Sequence, residues 1–485
     1  MPDVLTQLAA AIAQGLPEPP GGVRPLLEAL FGNRYHKNAQ RYAAVRDPLG
    51  LDIPYAGFIH PENPTSGAYG GASLVWFPTK DAGSIITYVV GTAGLSPDEG
   101  LLSRPGHRRR VRALRKYLMD HGIWMWAKPD PTALGVPVPD FVHDRLKEFE
   151  SALRRYGGEL YAIARVPQEP DHARIVVQAF FDLYAYERGW KVLREHEAEY
   201  HRLIDAMRAD LFAPITEDEV YDLLTRRHFV ILQGPPGTGK TRMAERVKQQ
   251  YFGGRGATVQ FHPAVTYEDF VVGLAPRTEG EDLHFTVRPG WLLEAAEDAK
   301  EGPYLLVIDE INRADLGKVL GEAIYLFESG EIGGDRPRIV QLPHAVNGVK
   351  SFAYPPNLYI LGTMNTADRS TATLDLAVRR RFAFVTVRPN PDVVKATGLE
   401  LAFRAFAALQ DVFVEHAPDE ALDLLPGHSY FLAKDDEDLR KRFKYELLPL
   451  LDEYLREGAV ASFAAELQAV RDQVEGVIEH GRWAD

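Results

Sequence analysis

One short segment constrains this chain more than any other: residues 234–241 read GPPGTGKT, a complete phosphate-binding loop motif. An apolar run from His228 to Leu232 precedes it and predicts a buried strand, and residues 242–247 predict a helix. A glycine-rich turn between a strand and a helix directs several backbone N–H groups toward one point, and this arrangement holds a polyphosphate. We therefore expect a chain that binds a nucleoside triphosphate.

The motif gives its residues distinct roles. Glycines let the backbone approach the phosphates, Lys240 can reach the β- and γ-phosphates, and the Thr241 hydroxyl can ligate Mg²⁺. The predicted nucleotide-binding set is Gly234, Pro235, Pro236, Gly237, Thr238, Gly239, Lys240 and Thr241. The alternative is a chance match in which Lys240 is an ordinary surface lysine, and the strand and helix around the motif argue against it.

Bulk properties narrow the class of protein. A length of 485 residues predicts about three domains. The chain has no cysteine, which excludes disulfides and thiolate metal sites and favours a reducing compartment. Its net charge of −13 argues against a uniformly basic surface for nucleic acid. Since we find neither a signal peptide nor an apolar run of about 18 residues, we predict a cytoplasmic protein without a membrane partner.

The central part of the chain alternates apolar runs with helical stretches, a pattern typical of a parallel sheet covered on both faces. The predicted strands are 228–232, 257–262, 304–309, 357–363 and 382–387. After Pro389 the pattern becomes helical, with predicted helices 400–415, 440–456 and 459–481. We predict an α/β nucleotide-binding domain over 213–390 and a helical lid over 391–485.

The first part of the chain mixes helical and strand-like segments. Residues 1–135 predict an N-terminal α+β domain, in which the runs 72–77 and 84–90 predict a hairpin. Residues 136–212 predict a connecting α/β region. Its expected elements are a helix over 141–156, strands near 159–166 and 174–178, and further helix up to Arg208.

Two of the predicted parallel strands end in polar side chains. Asp309 and Glu310 end one strand, and Asn365 ends another. Because the carboxyl ends of parallel strands line one edge of the sheet, we expect these side chains beside the bound nucleotide. Asp309 would hold Mg²⁺, Glu310 would polarise the attacking water, and Asn365 would contact the γ-phosphate or that water. There are two alternatives: the two acids only cap the next helix, and Asn365 only starts a turn.

Three consecutive arginines, Arg379, Arg380 and Arg381, precede the last predicted strand. A ring-forming ATPase or GTPase needs a guanidinium from the neighbouring subunit to neutralise charge that develops on the γ-phosphate. One or two of these arginines fit that role, and a solvated basic turn is the alternative.

In this order, the phosphate loop, the acidic strand end, the Asn-ended strand and the arginine cluster resemble the AAA+ superfamily, a fold class of P-loop NTPases with a parallel sheet and a C-terminal helical lid. Further segments are similar to the McrB family of modification-dependent restriction systems. They are DEINRAD at 309–315, MNTADRS at 364–370, the RRRF ending of 377–382, GHSYF at 427–431 and LLPLLDEY at 447–454. The resemblance covers residues 215–455, about half of the chain.

The resemblance implies a homo-oligomeric ring, a hexamer, that hydrolyses GTP with Mg²⁺ when an McrC-like nuclease subunit docks. It also implies movement along double-stranded DNA after an N-terminal domain has recognised a modified base. By motif, Asn365 and Asp368 belong to the loop beside the γ-phosphate, and Arg379–Arg381 supply the arginine finger. Two inserts, 278–288 and 331–349, are candidates for loops that face the pore of the ring. Since phosphate chemistry is the same for both nucleotides, the residues leave the choice between GTP and ATP open.

A basic run stands out in the N-terminal part. Eight basic or histidine side chains fall within the 13 residues from Arg104 to Lys116. The predicted DNA-binding residues, which would lie on or beside one face of a helix, are Arg108, Arg109, Arg112, Arg115 and Lys116. Nearby aromatic residues, namely Trp76, Phe77, Trp124 and Trp126, could form a pocket for a flipped base. A solvated charged face and core tryptophans are the alternative.

Three hypotheses about function remain. The first is a restriction motor that drives a partner nuclease, since we find no nuclease motif in this chain. The second is an ATP-dependent remodelling chaperone of the MoxR type, a class that would not need MNTADRS or a basic N-terminal face. The third is a DNA-binding module in which nucleotide only controls assembly, which the intact Glu310 disfavours.

Overall fold

A computed structural model describes residues 3–15, 23–32, 39–46, 52–58, 63, 70–188, 197–279, 282–334, 336–367, 374 and 376–483. The chain forms two compact units. The first is Met1–Leu211 together with Val414–Ala417, and the second is Phe212–Phe413 together with Pro418–Asp485. No helix among the described residues is both long and apolar enough to cross a bilayer. The domain boundaries that we expect from the sequence stay predictions.

The N-terminal unit contains a six-stranded sheet in the order β1-β2-β3-β4-β6-β5, with antiparallel pairing at each step. Its strands are β1 (Ala39–Arg46), β2 (Asp52–Phe58), β3 (Ala72–Pro78), β4 (Ser84–Val90), β5 (Met125–Ala127) and β6 (Leu160–Arg165). The predicted hairpin is the pair β3–β4, in which Ala72 pairs with Val90 and Pro78 with Ser84. The four aromatic residues proposed for a base pocket pack instead in this unit's interior: Trp76 and Phe77 are buried, and Trp124 and Trp126 lie partly buried against the core.

The helices of this unit are α1 (Val4–Gln14), α2 (Arg24–Phe31), α3 (Glu99–Leu102), α4 (Pro105–Asp120), α5 (Asp140–Arg145), α6 (Glu150–Tyr156), α7 (Pro170–Glu187) and α8 (Glu197–Leu211). The predicted helix 141–156 is divided between α5, a 3₁₀ turn at Lys147–Phe149 and α6. The predicted strand 174–178 is wrong, because these residues lie inside α7. That helix is capped by Glu169 and begins at Pro170. Because its centre is buried on nearly every side, apolar residues do not recur with a helical period in its sequence.

The second unit is built on a five-stranded parallel sheet in the order β15-β7-β14-β11-β8, which confirms the predicted fold class. Its strands are β7 (Phe229–Gly234), β8 (Gly256–Gln260), β11 (Tyr304–Asp309), β14 (Leu358–Asn365) and β15 (Ala383–Thr386). Strands β7 and β11 are buried along most of their length, which explains their continuous apolar sequences. Two hairpins accompany the sheet, β9 (Val272–Glu279) with β10 (Asp282–Pro289) and β12 (Val340–Val346) with β13 (Val349–Phe352). These hairpins include parts of the two predicted pore inserts, and a position in a pore stays a prediction.

Helices on both faces of the sheet, and the lid that follows, complete this unit. The first group is α9 (Glu217–Arg227), α10 (Lys240–Tyr251), α11 (Tyr267–Phe270), α12 (Trp291–Asp298), α13 (Leu316–Leu320) and α14 (Leu376–Arg379). The second group is α15 (Pro391–Lys395), α16 (Glu400–His416), α17 (Asp436–Arg442), α18 (Leu448–Arg456) and α19 (Ala464–His480). The predicted lid helix 440–456 contains a π-helical turn, Phe443–Leu447, which ends two residues before Pro449. A proline inside a helix has no N–H to donate and pushes against the preceding turn, so a wider turn is expected there.

Candidate nucleotide-binding and hydrolysis site

The parallel sheet brings the predicted strand ends together at one edge. In the register of β14 and β7, Asn365 lies opposite Gly234, the first residue of the phosphate loop. On the other side of β14, Ile308 lies opposite Gly362, so Asp309 and Glu310 emerge at the same edge. Gly234 and Asn365, which are 131 positions apart in the sequence, therefore meet because parallel strands share their carboxyl ends.

The phosphate loop has the backbone conformation that its glycines permit. Gly237 and Gly239 have φ angles of 78° and 80°, in the left-handed region that other residues avoid. Gly239 is followed directly by α10, which begins at Lys240 and gives the loop the N-terminus of a 12-residue helix. A helix N-terminus and the free N–H groups of such a loop attract an anion.

Lys240 lies inside this loop. Its ammonium donates to the carbonyl oxygens of Gly234 at 3.0 Å and Pro235 at 2.8 Å, and the side chain is buried. Burial lowers the pKa of Lys240 to about 8, although the carboxylates of Glu310 and Asp309 oppose that shift. A phosphate partner stabilises an ammonium that is removed from water in this way more strongly than it stabilises the ammonium of an exposed lysine.

Asp309 lies at the centre of a small hydrogen-bonded group. Its Oδ1 accepts from the Thr241 hydroxyl at 2.7 Å and from the Thr363 hydroxyl at 2.6 Å. A threonine hydroxyl beside a carboxylate is the protein donor set with which phosphate-loop enzymes hold Mg²⁺, whose remaining ligands are phosphate and water. The residues present therefore fit Mg²⁺. Among the described residues no cluster of three or more His, Cys, Asp or Glu forms a metal site.

Glu310 and Asn365 contact each other. The Asn365 amide donates to Glu310 Oε1 at 2.7 Å, and Arg313 Nε lies 3.4 Å from Oε2 of the same carboxylate. Glu310 has a φ angle of 55°, which is unusual for a residue with a side chain and turns it away from the path of the strand. Two donors thus fix the direction of the Glu310 carboxylate at the sheet edge. A carboxylate that orients an attacking water needs a fixed direction of this kind.

Three further residues of this site received no individual role from the sequence: Thr363, Asn312 and Arg313. Thr363 is buried, bonds Asp309, and accepts the backbone N–H of Glu310 at 3.2 Å. Asn312 donates to the Asn365 carbonyl at 3.3 Å. The signal that could have identified Thr363 is a hydroxyl near the end of an otherwise apolar strand, two residues before Asn365.

The arginine cluster lies at the end of α14. Arg379 and Arg380 are exposed, and Arg381 is partly buried. The guanidinium of Arg379 lies 5.5 Å from the centre of the Phe384 ring, and Arg381 Nη1 donates to the Ala377 carbonyl at 2.7 Å. The predicted loop residue Asp368 lies outside the described residues.

The basic run of the N-terminal unit forms α4, but only part of it is at the surface. Arg112, Arg115 and Lys116 are exposed and Arg108 is partly exposed, while Lys116 pairs with Asp210 at 2.8 Å. The structure corrects the expectation for Arg109, which is 3% exposed and donates to the carbonyls of Val414 and Ala417, both at 2.7 Å. A guanidinium in that position cannot reach a DNA phosphate. Helical spacing alone did not reveal which side of the helix faces the core.

Comparisons with known proteins agree with the geometry. The family model "AAA domain (dynein-related subfamily)" matches residues 229–382, and "McrB, alpha-helical lid domain" matches residues 420–460. The Type IV methyl-directed restriction enzyme EcoKMcrB subunit of Escherichia coli K12 is 34% identical over 337 residues, which span 62% of this chain and 71% of that protein.

Two more distant relatives match shorter regions. The Type II restriction enzyme BsuMI component YdiS of Bacillus subtilis 168 is 29% identical over 32% of this chain and 55% of its own length. The uncharacterized protein YehL of Escherichia coli K12 is 25% identical over 45% of this chain and 57% of its own length. From the extent of the first relative and the match to its lid, the chain belongs to the McrB family and carries an AAA nucleoside-triphosphatase domain followed by an McrB-type helical lid.

Proposed function

We propose that this chain is the GTP-hydrolysing motor of a restriction system that acts on modified double-stranded DNA together with a separate McrC-like nuclease subunit. The observation that supports hydrolysis best is the pair of contacts at one sheet edge, Thr241 with Asp309 and Asn365 with Glu310. A protein that only binds nucleotide would have no need for an oriented carboxylate there. The restriction role is supported by two relatives, a subunit of a Type IV restriction enzyme and a component of a Type II restriction enzyme.

The proposed roles follow from these contacts. Lys240 and the loop N–H groups bind the phosphate chain, and Thr241 and Asp309 hold Mg²⁺, which supplies positive charge to the phosphates when bound. Thr363 orients Asp309, while Asn365 and Arg313 orient Glu310 toward the attacking water. Glu310 then accepts one proton from that water as the water oxygen bonds to the γ-phosphorus and the bond from this phosphorus to the bridging oxygen breaks, which releases the nucleoside diphosphate.

The finger in the proposed ring is one of the arginines Arg379–Arg381, at and just after the end of α14. Of the three candidates, Arg379 and Arg380 are exposed, whereas the Arg381 side chain is partly buried and donates to the Ala377 carbonyl. An exposed side chain is available to a neighbouring subunit, where a guanidinium can neutralise charge on the γ-phosphate. A homo-hexamer is the assembly proposed for this arrangement.

The proposal is tested by measuring hydrolysis of GTP and ATP in parallel by the purified chain. Each nucleotide is offered alone, with an unmodified duplex, with a methylated duplex, and with an added McrC-like nuclease subunit. We expect faster turnover of GTP, stimulation by the nuclease, and tighter binding of the methylated duplex. Turnover of ATP alone, without any duplex binding, would favour the remodelling chaperone and overturn the restriction motor.

A further inference from the structure

A short lid segment, Gly427–Phe431, is bonded directly to the phosphate loop. Within it, residues His428–Phe431 form a 3₁₀ helix. The Gly427 N–H donates to the Pro236 carbonyl, and the Ser429 N–H donates to the Gly237 carbonyl, both at 3.0 Å. A Cβ atom on Gly427 would lie 2.1 Å from the carbonyl carbon of Gly237, so only glycine permits this approach. His428 stands between the two bonded residues and is therefore held beside the loop.

The orientation of the His428 ring is fixed by a backbone group. The N–H of Asn390 donates to His428 Nδ1 at 3.3 Å. Since a peptide N–H can only donate, Nδ1 is the acceptor, and the proton of the neutral ring is on Nε2. Nε2 lies 3.7 Å from the position that a Cβ atom on Gly239 would take, at the opening of the phosphate loop. The lid thus presents one N–H donor to the place where the loop wraps an anion.

The surroundings of the ring favour this neutral form. Burial lowers the pKa of His428, and the nearby positive charge of Arg242 lowers it further. At neutral pH the ring is therefore uncharged, with its acceptor nitrogen occupied by Asn390 and its donor nitrogen directed at the loop. A structural histidine that only packed the lid would not need its donor on that side.

We propose that His428 is a nucleotide-binding residue, a lid-borne N–H donor to an oxygen of the phosphate chain held in residues 234–241. This inference rests on the proposed function, since it names a further contact of the same site. Because the donor belongs to the segment that also bonds Pro236 and Gly237, phosphate binding and lid closure on the loop reinforce each other. A hydrogen bond to a charged phosphate oxygen gives roughly tenfold or more in affinity.

Three substitutions separate the donor from the anchoring of the lid. In His428→Gln, the amide nitrogen can take the place of Nε2. In His428→Asn, the amide oxygen can take the place of Nδ1 and accept from Asn390, but nothing occupies the donor position. His428→Leu removes both groups. The matched control is His480→Leu, since the side chain of this other lid histidine is 66% exposed. Thermal unfolding without nucleotide checks that each variant keeps its folded lid.

The measurement is the equilibrium dissociation constant for GTP, for ATP and for inorganic tripolyphosphate. We expect His428→Asn and His428→Leu to raise it about tenfold or more for each probe, and His428→Gln to raise it at most a few-fold. Equal affinity of the Asn variant and the natural chain overturns the proposal, and so does a loss that spares tripolyphosphate, which would place the contact on the base or the sugar. If the natural chain binds none of the three probes, it is the proposed function that fails.

Discussion

The two units of this protein use charged side chains in opposite ways. In the nucleotide-binding unit, Lys240, Asp309 and Glu310 lie at the edge of a parallel sheet, where their charges face a site. In the N-terminal unit, a buried charge on α4 is paired within the unit: Arg110, which is 1% exposed, pairs with Glu187 at 2.7 Å and with Glu415. The charged residues at the strand ends thus face a candidate site. The run of basic residues on α4, by contrast, contains both buried, paired side chains and exposed ones.

From this contrast we expect Glu310→Gln to slow nucleotide hydrolysis and to leave the free energy of unfolding almost unchanged. The amide can still accept from Asn365, so we expect nucleotide binding to persist. Turnover should fall by about 10²- to 10⁴-fold, the usual contribution of a positioned general base. The measurement is single-turnover hydrolysis, with Glu301→Gln as control because that carboxylate is 80% exposed. Unchanged turnover in Glu310→Gln would refute its role.

Arg110→Ala should lower the stability of the N-terminal unit and leave the chemistry of hydrolysis almost unchanged. Removal of Arg110 leaves Glu187, whose side chain is 1% exposed, without its main cationic partner. Burial alone would raise the pKa of Glu187, but His107 and Arg110 outweigh burial and lower it to about 2, which shows how strongly the pair favours the ionised form. We expect a loss of about 3–5 kcal/mol from the free energy of unfolding of this unit.

The matched control for Arg110→Ala is Arg115→Ala on the same helix, where the side chain is exposed. This variant should change stability by less than about 0.5 kcal/mol. It should instead weaken duplex binding and reduce the salt dependence of that binding by about one phosphate contact. Chemical denaturation and binding at several salt concentrations distinguish the two outcomes. Equal destabilisation by both variants would contradict the division of α4 into a buried and a surface side.

The same contrast explains how much could be predicted from the sequence. The five parallel strands are apolar runs bounded by polar residues, so each was placed within a few residues, and the polar strand ends identified the edge of the sheet. The strand 174–178 was wrong because α7 is buried almost all round and shows no helical period. The contact of Gly427 with Pro236 depends on long-range packing, which no local pattern encodes.

A further expected effect concerns pH: the charge of Lys240 should have opposite effects on phosphate affinity and on the free energy of unfolding. Its pKa is about 8 in the folded chain, below the ordinary 10.5, so between these values the unfolded chain binds the extra proton and stability rises with pH. Phosphate binding requires the ammonium, so affinity should fall above pH 8, by up to about tenfold per pH unit. Stability and affinity should therefore change in opposite directions between pH 8 and 10, and Lys240→Gln should remove both trends. Parallel denaturation and tripolyphosphate titrations test this, and an affinity that stays constant up to pH 10 would mean that the phosphate chain does not depend on the charge of Lys240.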